Sequence, residues 1–174
     1  LISNNYLTGI TLEGSGTTYN RVLGNYIGTD LPGNVSLGRQ YSAGILIQSG
    51  ASENVIGGST AGARNLISGN KMGVKLSGAE TYSNTVSGNY IGVDATGMRA
   101  LGNRSSGVQI SDAHDNIIGG STNEARNIIS GNTGCGVEVS GGGAVHNQIA
   151  GNYIGTDVTG MQVIGNQDCG VKIY

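Results

Sequence analysis

The chain has 174 residues, 33 of them Gly, with one Pro, no Trp and no Phe; 37% are hydrophobic, 11% are charged and the formal charge is −2. This composition excludes a disordered polyampholyte, and Gly without a G-X-Y period excludes collagen. The lack of a basic cluster argues against nucleic acid or an anionic membrane as partner, and no apolar run is long enough to insert across a bilayer.

In chain order, a short β-like phrase starts at Gly9 (GITLEG), Gly44 (GILIQS), Gly73 (GVKLSG), Gly107 (GVQISD), Gly136 (GVEVSG) and Gly170 (GVKIY). The steps alternate between long units and short ones of 29 residues. A second phrase follows each start, as in NVIGGST at 54–60 and NIIGGST at 116–122. A third is GNYIGTD at 24–30, GNYIGVD at 88–94 and GNYIGTD at 151–157, with ARNLISGN and ARNIISGN in the short units. Phrases of about five residues with period-2 patterning predict strands, and no segment has the length and periodicity of a helix.

Three such strands cannot bury an apolar face alone, but stacked units can. The spacing predicts a parallel β-solenoid over 1–174, one unit per coil. Its interior ladders are Ile10, Ile45, Val74, Val108, Val137 and Val171, then Leu12, Ile47, Leu76, Ile110, Val139 and Ile173. Val22, Ile56, Val86, Ile118 and Ile149 form a third, and Ile27, Ile67, Ile91, Ile129 and Ile154 a fourth. Asn20, Asn54, Asn84, Asn116 and Asn147 open the second strand; Asn25, Asn65, Asn89, Asn127 and Asn152 open the third. Stacked side-chain amides at these corners satisfy backbone groups and fix register.

The GNYIGTD, NxIGGST, ARNxISGN and GVxI phrases cover essentially the whole chain. They resemble the right-handed, single-stranded parallel β-helix repeats of the pectate-lyase-like superfamily, and in particular GNYIGTD-type stretches of large secreted or cell-surface bacterial proteins. The resemblance implies an extracellular or surface location, although the chain lacks its own signal peptide. It begins at LISNN and stops at GVKIY, mid-repeat at both ends. We expect it to be a single domain or part of a longer array, in which open ends would favour end-to-end self-association. A leucine-rich horseshoe is disfavoured because its LxxLxL spacing is absent.

The candidate functional residues lie outside these ladders. Asp30, Asp94 and Asp157 open an extra loop in each long coil, and Asn70 and Asn132 are read as holding that slot in the short coils. The aspartates are either a carboxylate column for acid–base work or Ca²⁺, or Asx-type caps of their loops. Tyr26, Tyr90 and Tyr153 face outward as a stripe with Leu66 and Ile128, to be stacked on by sugar rings or covered by the loops. The resemblance places catalytic groups on the first strand, where Lys75, Glu138 and Lys172 face out; a lysine there would be a lyase base tuned by Glu138. His114, Asp115 and His146 share one turn and carry donors that suit Zn²⁺ or Cu²⁺. Cys135 and Cys169 stand one coil apart and are expected inside, as thiols or as a disulfide. No cofactor is required. The expected function is a non-catalytic scaffold or polysaccharide-binding module. The alternatives are a polysaccharide lyase or glycoside hydrolase, and a self-associating structural repeat.

Overall fold

The computed structural model describes residues 1–38 and 41–174. It is an all-β parallel solenoid of about five turns with three sheets. Sheet one stacks six strands: Ile10–Glu13, Ala43–Gln48, Met72–Ser77, Val108–Ser111, Val137–Ser140 and Val171–Ile173. Sheet two stacks Arg21–Val22, Val55–Gly57, Thr85–Ser87, Ile117–Gly119 and Gln148–Ala150. Sheet three stacks Tyr26–Ile27, Leu66–Ile67, Tyr90–Ile91, Ile128–Ile129 and Tyr153–Ile154. One 3-10 turn, Ala61–Ala63, is the only helical element among the described residues.

The four aliphatic ladders pair in the register expected from the sequence. Ile45, Val74, Ile56, Val86, Ile67 and Ile91 are among those with no solvent exposure. Each fully buried rung residue contributes about 1.5–3 kcal/mol, and branched aliphatics of similar shape stacked one coil apart pack closely.

The two expected Asn ladders are continuous. In the second-strand column, each Oδ1 accepts from the backbone N–H and the Nδ2 of the Asn in the coil before, from Asn20–Asn54 at 2.9 Å to Asn116–Asn147 at 3.0 Å. The column from Asn25 to Asn152 repeats this. A third ladder was not expected: Asn70, Asn103, Asn132 and Asn166 bond in the same way. Asn70 and Asn132 therefore do not hold the aspartate slot. Each long coil inserts a hairpin, closed by the bridges Thr29–Ser36, Val93–Ala100 and Thr156–Val163, and the second and third long coils join this ladder after it, at Asn103 and Asn166.

Alternation also fails ahead of sheet one. A Cβ on Gly44, Gly73 or Gly107 would meet the Cγ2 of Ile67, Ile91 or Ile129 at 2.8, 2.7 and 2.6 Å, so these glycines face inward beside the inward Val or Ile that follows. Two successive inward positions turn the preceding residue outward. Thr8 Oγ1 accordingly lies 2.7 Å from Thr11 Oγ1, and Ser106 Oγ donates to Glu138 on the outer face. Cys135 and Cys169 belong to that outward-directed column and not to the aliphatic ladders, although Cys135 is still buried (2% exposed) and Cys169 half-buried. They are joined as a disulfide (S–S 2.10 Å), and neither is a free thiol.

Candidate functional surfaces

The extra hairpins fold over sheet three. Leu66, Tyr90, Val93, Ile128 and Ile164 form a second apolar cluster, joined by Tyr26, Ala95, Tyr153 and Val158. Successive hairpins also bond to one another across the short coil between them, Ala95 N–H to Gly33 O and Val158 N–H to Gly97 O, both at 3.0 Å. Each tyrosine is clamped on its ring. A Cβ on the turn glycines Gly33, Gly97 and Gly160 would lie 3.0–3.1 Å from Tyr26, Tyr90 and Tyr153 Cε2. Those glycines have φ of 73°, 71° and 74°, which a side chain resists. The Arg64 guanidinium lies 4.2 Å from the Tyr90 ring centroid, and Arg126 4.0 Å from that of Tyr153. With Tyr90 6% exposed, neither of its faces is open to a sugar; Tyr26 and Tyr153 are half-buried.

The three aspartates each hold their own hairpin. Asp30 Oδ1 accepts from the N–H groups of Asn34 and Val35. Asp94 Oδ1 accepts from Thr96 Oγ1, Met98 N–H and Arg99 N–H. Asp157 Oδ1 accepts from Thr159 N–H and Oγ1, Met161 N–H and Gln162 N–H. Backbone donation from Val35 holds Asp30 below the ordinary carboxylate range, against a smaller upward effect of burial. For Asp157 burial pushes upward most strongly, but the Thr159 hydroxyl and three backbone N–H groups together outweigh it and the net shift is downward. All three are loop-capping carboxylates. In each, Oδ1 is committed to donors within its own loop, and Asp157 Oδ2 is buried without a partner; each carboxylate serves its own hairpin, whereas Ca²⁺ asks for about six to eight convergent oxygens.

Sheet one leaves its outer face uncovered. Lys75, Gln109, Glu138 and Lys172 stand in register there, one per coil. Glu138 accepts from Ser106 Oγ at 2.7 Å, Gln109 Nε2 at 3.2 Å and Tyr174 Oη at 2.8 Å. Burial raises its pKa, but those three donors and the Lys172 charge prevail and hold it low. The same bond pushes the Tyr174 phenol up, and Lys172 Nζ lies 4.8 Å from the Tyr174 ring centroid. A carboxylate so well supplied with donors is a weak base. Lys75 stands two strands from it, with Gln109 between.

The histidines are out of register with each other. His114 bridges to Tyr82, and Asp115 N–H bonds to Val145 O, which puts His146 level with Asp115. His114 Nδ1 lies 2.6 Å from Asp115 Oδ2 and His146 Nδ1 3.6 Å from Asp115 Oδ1, so the carboxylate sits between the two rings. Among the described residues, the one group of three donors mutually within 4.8 Å is Cys135, Asp168 and Cys169, and its two sulfurs are spent on each other.

The sequence reading missed the third Asn ladder and a column of left-handed residues, Tyr19, Glu53, Ser83, Asp115 and His146, with φ between 53° and 58°. Each precedes a ladder Asn, which was the available signal. Fold and surfaces together define the class, a three-sheet parallel β-helix with capped hairpins on one side and a polar sheet face on another. Comparison with known families finds no match, and no curated protein or solved structure matches the chain.

Proposed function

We propose that this β-helix is a non-catalytic module of an extracellular or cell-surface bacterial protein, akin to the pectate-lyase-like repeats, serving as a rigid scaffold and binding surface for polysaccharide. The observation that carries the reading is the uncovered outer face of sheet one, a strip of hydroxyl, amide and charged side chains stacked coil on coil and interrupted in one row by Leu46. At about 4.8 Å per coil, such a strip offers a regular row of hydrogen-bonding groups to a polymer of regular repeat. The Cys135–Cys169 disulfide supports the location, because disulfides persist in oxidising compartments.

The test incubates the chain with uronic-acid and neutral polysaccharides, following unsaturated ends, reducing ends and retention together. Retention without cleavage is the expected result. New unsaturated ends would instead make the chain a lyase and point to Lys75, Glu138 and Lys172. Reducing ends alone would make it a hydrolase. Absence of retention on every glycan would overturn the polysaccharide reading and leave the scaffold.

A further inference from the structure

The turn from sheet one to sheet two carries a column of equivalent residues: Thr18, Ser52, Tyr82, His114 and Val145. Tyr82 and His114 are stacked, with ring centroids 5.4 Å apart and planes 7° from parallel. On the other side of Tyr82 the column shrinks to Ser52, which is buried, and then to Thr18. The ring stack therefore ends on a step. Beyond that step lies a cavity of about 460 Å³, walled by Tyr82, Glu80, Ser15, Thr18, Ser49 and Ser52. Gly16 and Gly50 complete the lining and add no side chain, and both hold the left-handed φ that a side chain resists (93° and 92°).

Its chemistry is specific. One aromatic ring, backed by His114 and so held in place, meets four hydroxyls and one carboxylate. Among the described residues, no cation lines the cavity. A flat ring with C–H groups on its face and hydroxyls round its edge satisfies all of these at once: the face stacks on Tyr82, and the edge bonds Ser, Thr and Glu80. A carboxylate on the ligand would meet Glu80 with no counter-charge. We propose that this step is a subsite for one neutral hexopyranose unit of a polysaccharide, stacked on Tyr82 with its hydroxyls on Glu80 and the Ser/Thr wall. This rests on the polysaccharide reading above, and places a subsite on the turn rather than on the outer face of sheet one.

The test titrates the whole chain, carrying ring-labelled tyrosine, with soluble neutral oligosaccharides (gluco-, xylo-, manno- and galacto-) and separately with oligogalacturonate. The Tyr82 resonance is assigned from Tyr82→Phe. Neutral oligosaccharides of at least one type are expected to move it. Tyr82→Ala should weaken binding by about tenfold, the upper end for a single aromatic contact, while Tyr82→Phe should retain it. Ser15→Trp, on the exposed mouth, should block the site without touching the core and keeps the test open if Tyr82→Ala does not fold. If neutral oligosaccharides bind but move only other tyrosines, the subsite is overturned and the polysaccharide reading stands. If oligogalacturonate alone moves Tyr82, the charge argument is overturned. If nothing binds, both fall.

Discussion

A buried ladder asparagine is held at both ends of its amide. Asn89 shares its two Nδ2 protons among Ile56 O, Ser87 O and Asn127 Oδ1, and its Oδ1 accepts from Asn65 N–H and Nδ2. Truncation strands buried groups on two neighbouring coils, each costing about 1–3 kcal/mol. Asn89→Ala should therefore lower the unfolding free energy by about 3 kcal/mol or more in urea, and half-buried Asn147→Ala by clearly less. Equal losses would mean that the ladder contributes through its turn geometry and not through its buried bonds. The hairpin aspartates act by the same logic on pH. Asp157 has a folded-state pKa below its unfolded one. Its stabilisation is then present above the ordinary Asp value of about 4 and lost as pH falls through that value toward the folded one. Asp157→Asn should flatten this part of the acid limb when urea midpoints are followed downward from neutral pH. A slope identical to the parent's would show that the carboxylate charge is not what holds the hairpin.

The repeated heptapeptide is best understood as an element. In GNYIGTD the first Gly takes a left-handed turn (φ 68° at Gly24) and Asn joins the ladder. Ile enters the core, the second Gly turns again (φ 87° at Gly28), and Asp caps the hairpin. In the two later copies Tyr packs between an arginine from the preceding short coil and the glycine of its own hairpin, the covered outcome of the two that the sequence left open. Period-2 alternation told us that Tyr90 leaves the core. It could not tell whether the next thirteen residues would fold back on it, since that depends on hairpin geometry and not on periodicity. The cysteines were misplaced for a related reason. Alternation assumes one side chain per position, and an inward Gly with no Cβ lets the chain spend two successive residues inside. Asn103 escaped notice because the inserted hairpin displaces it from the spacing seen in the short coils. The clamp itself can be measured. Tyr90→Ala should cost about 3–5 kcal/mol, as for a buried aromatic, and Arg64→Ala about 1–2 kcal/mol for a partly desolvated cation–π contact. A Tyr90→Ala loss under 1 kcal/mol in urea would be incompatible with its burial under the hairpin.

For the whole molecule, the expectation for a solenoid is stability summed from coils and their nearest-neighbour contacts. This one departs from that picture on one side. Its hairpins bond to hairpins two coils away, so sheet three and its cover are coupled over a longer range than sheets one and two. The disulfide sits just ahead of sheet one and ties only its last two strands, Val137–Ser140 and Val171–Ile173. Linking residues 34 apart is worth about 2–4 kcal/mol. The double variant Cys135→Ala/Cys169→Ala should therefore speed hydrogen exchange at Val171–Ile173 and Val137–Ser140 relative to the parent chain. The effect should fade before Ala43–Gln48, four strands away in the sheet. The hairpin at 156–163 is the deciding segment. It hangs from Gly97 through Val158, so the longer-range coupling predicts that it stays protected while the strand beside it frays. If exchange there rises in step with Val171–Ile173, the hairpins follow their own coil, and the molecule is a plain nearest-neighbour stack. If exchange rises equally at Ala43–Gln48, the coils unfold as one block and no segment frays alone.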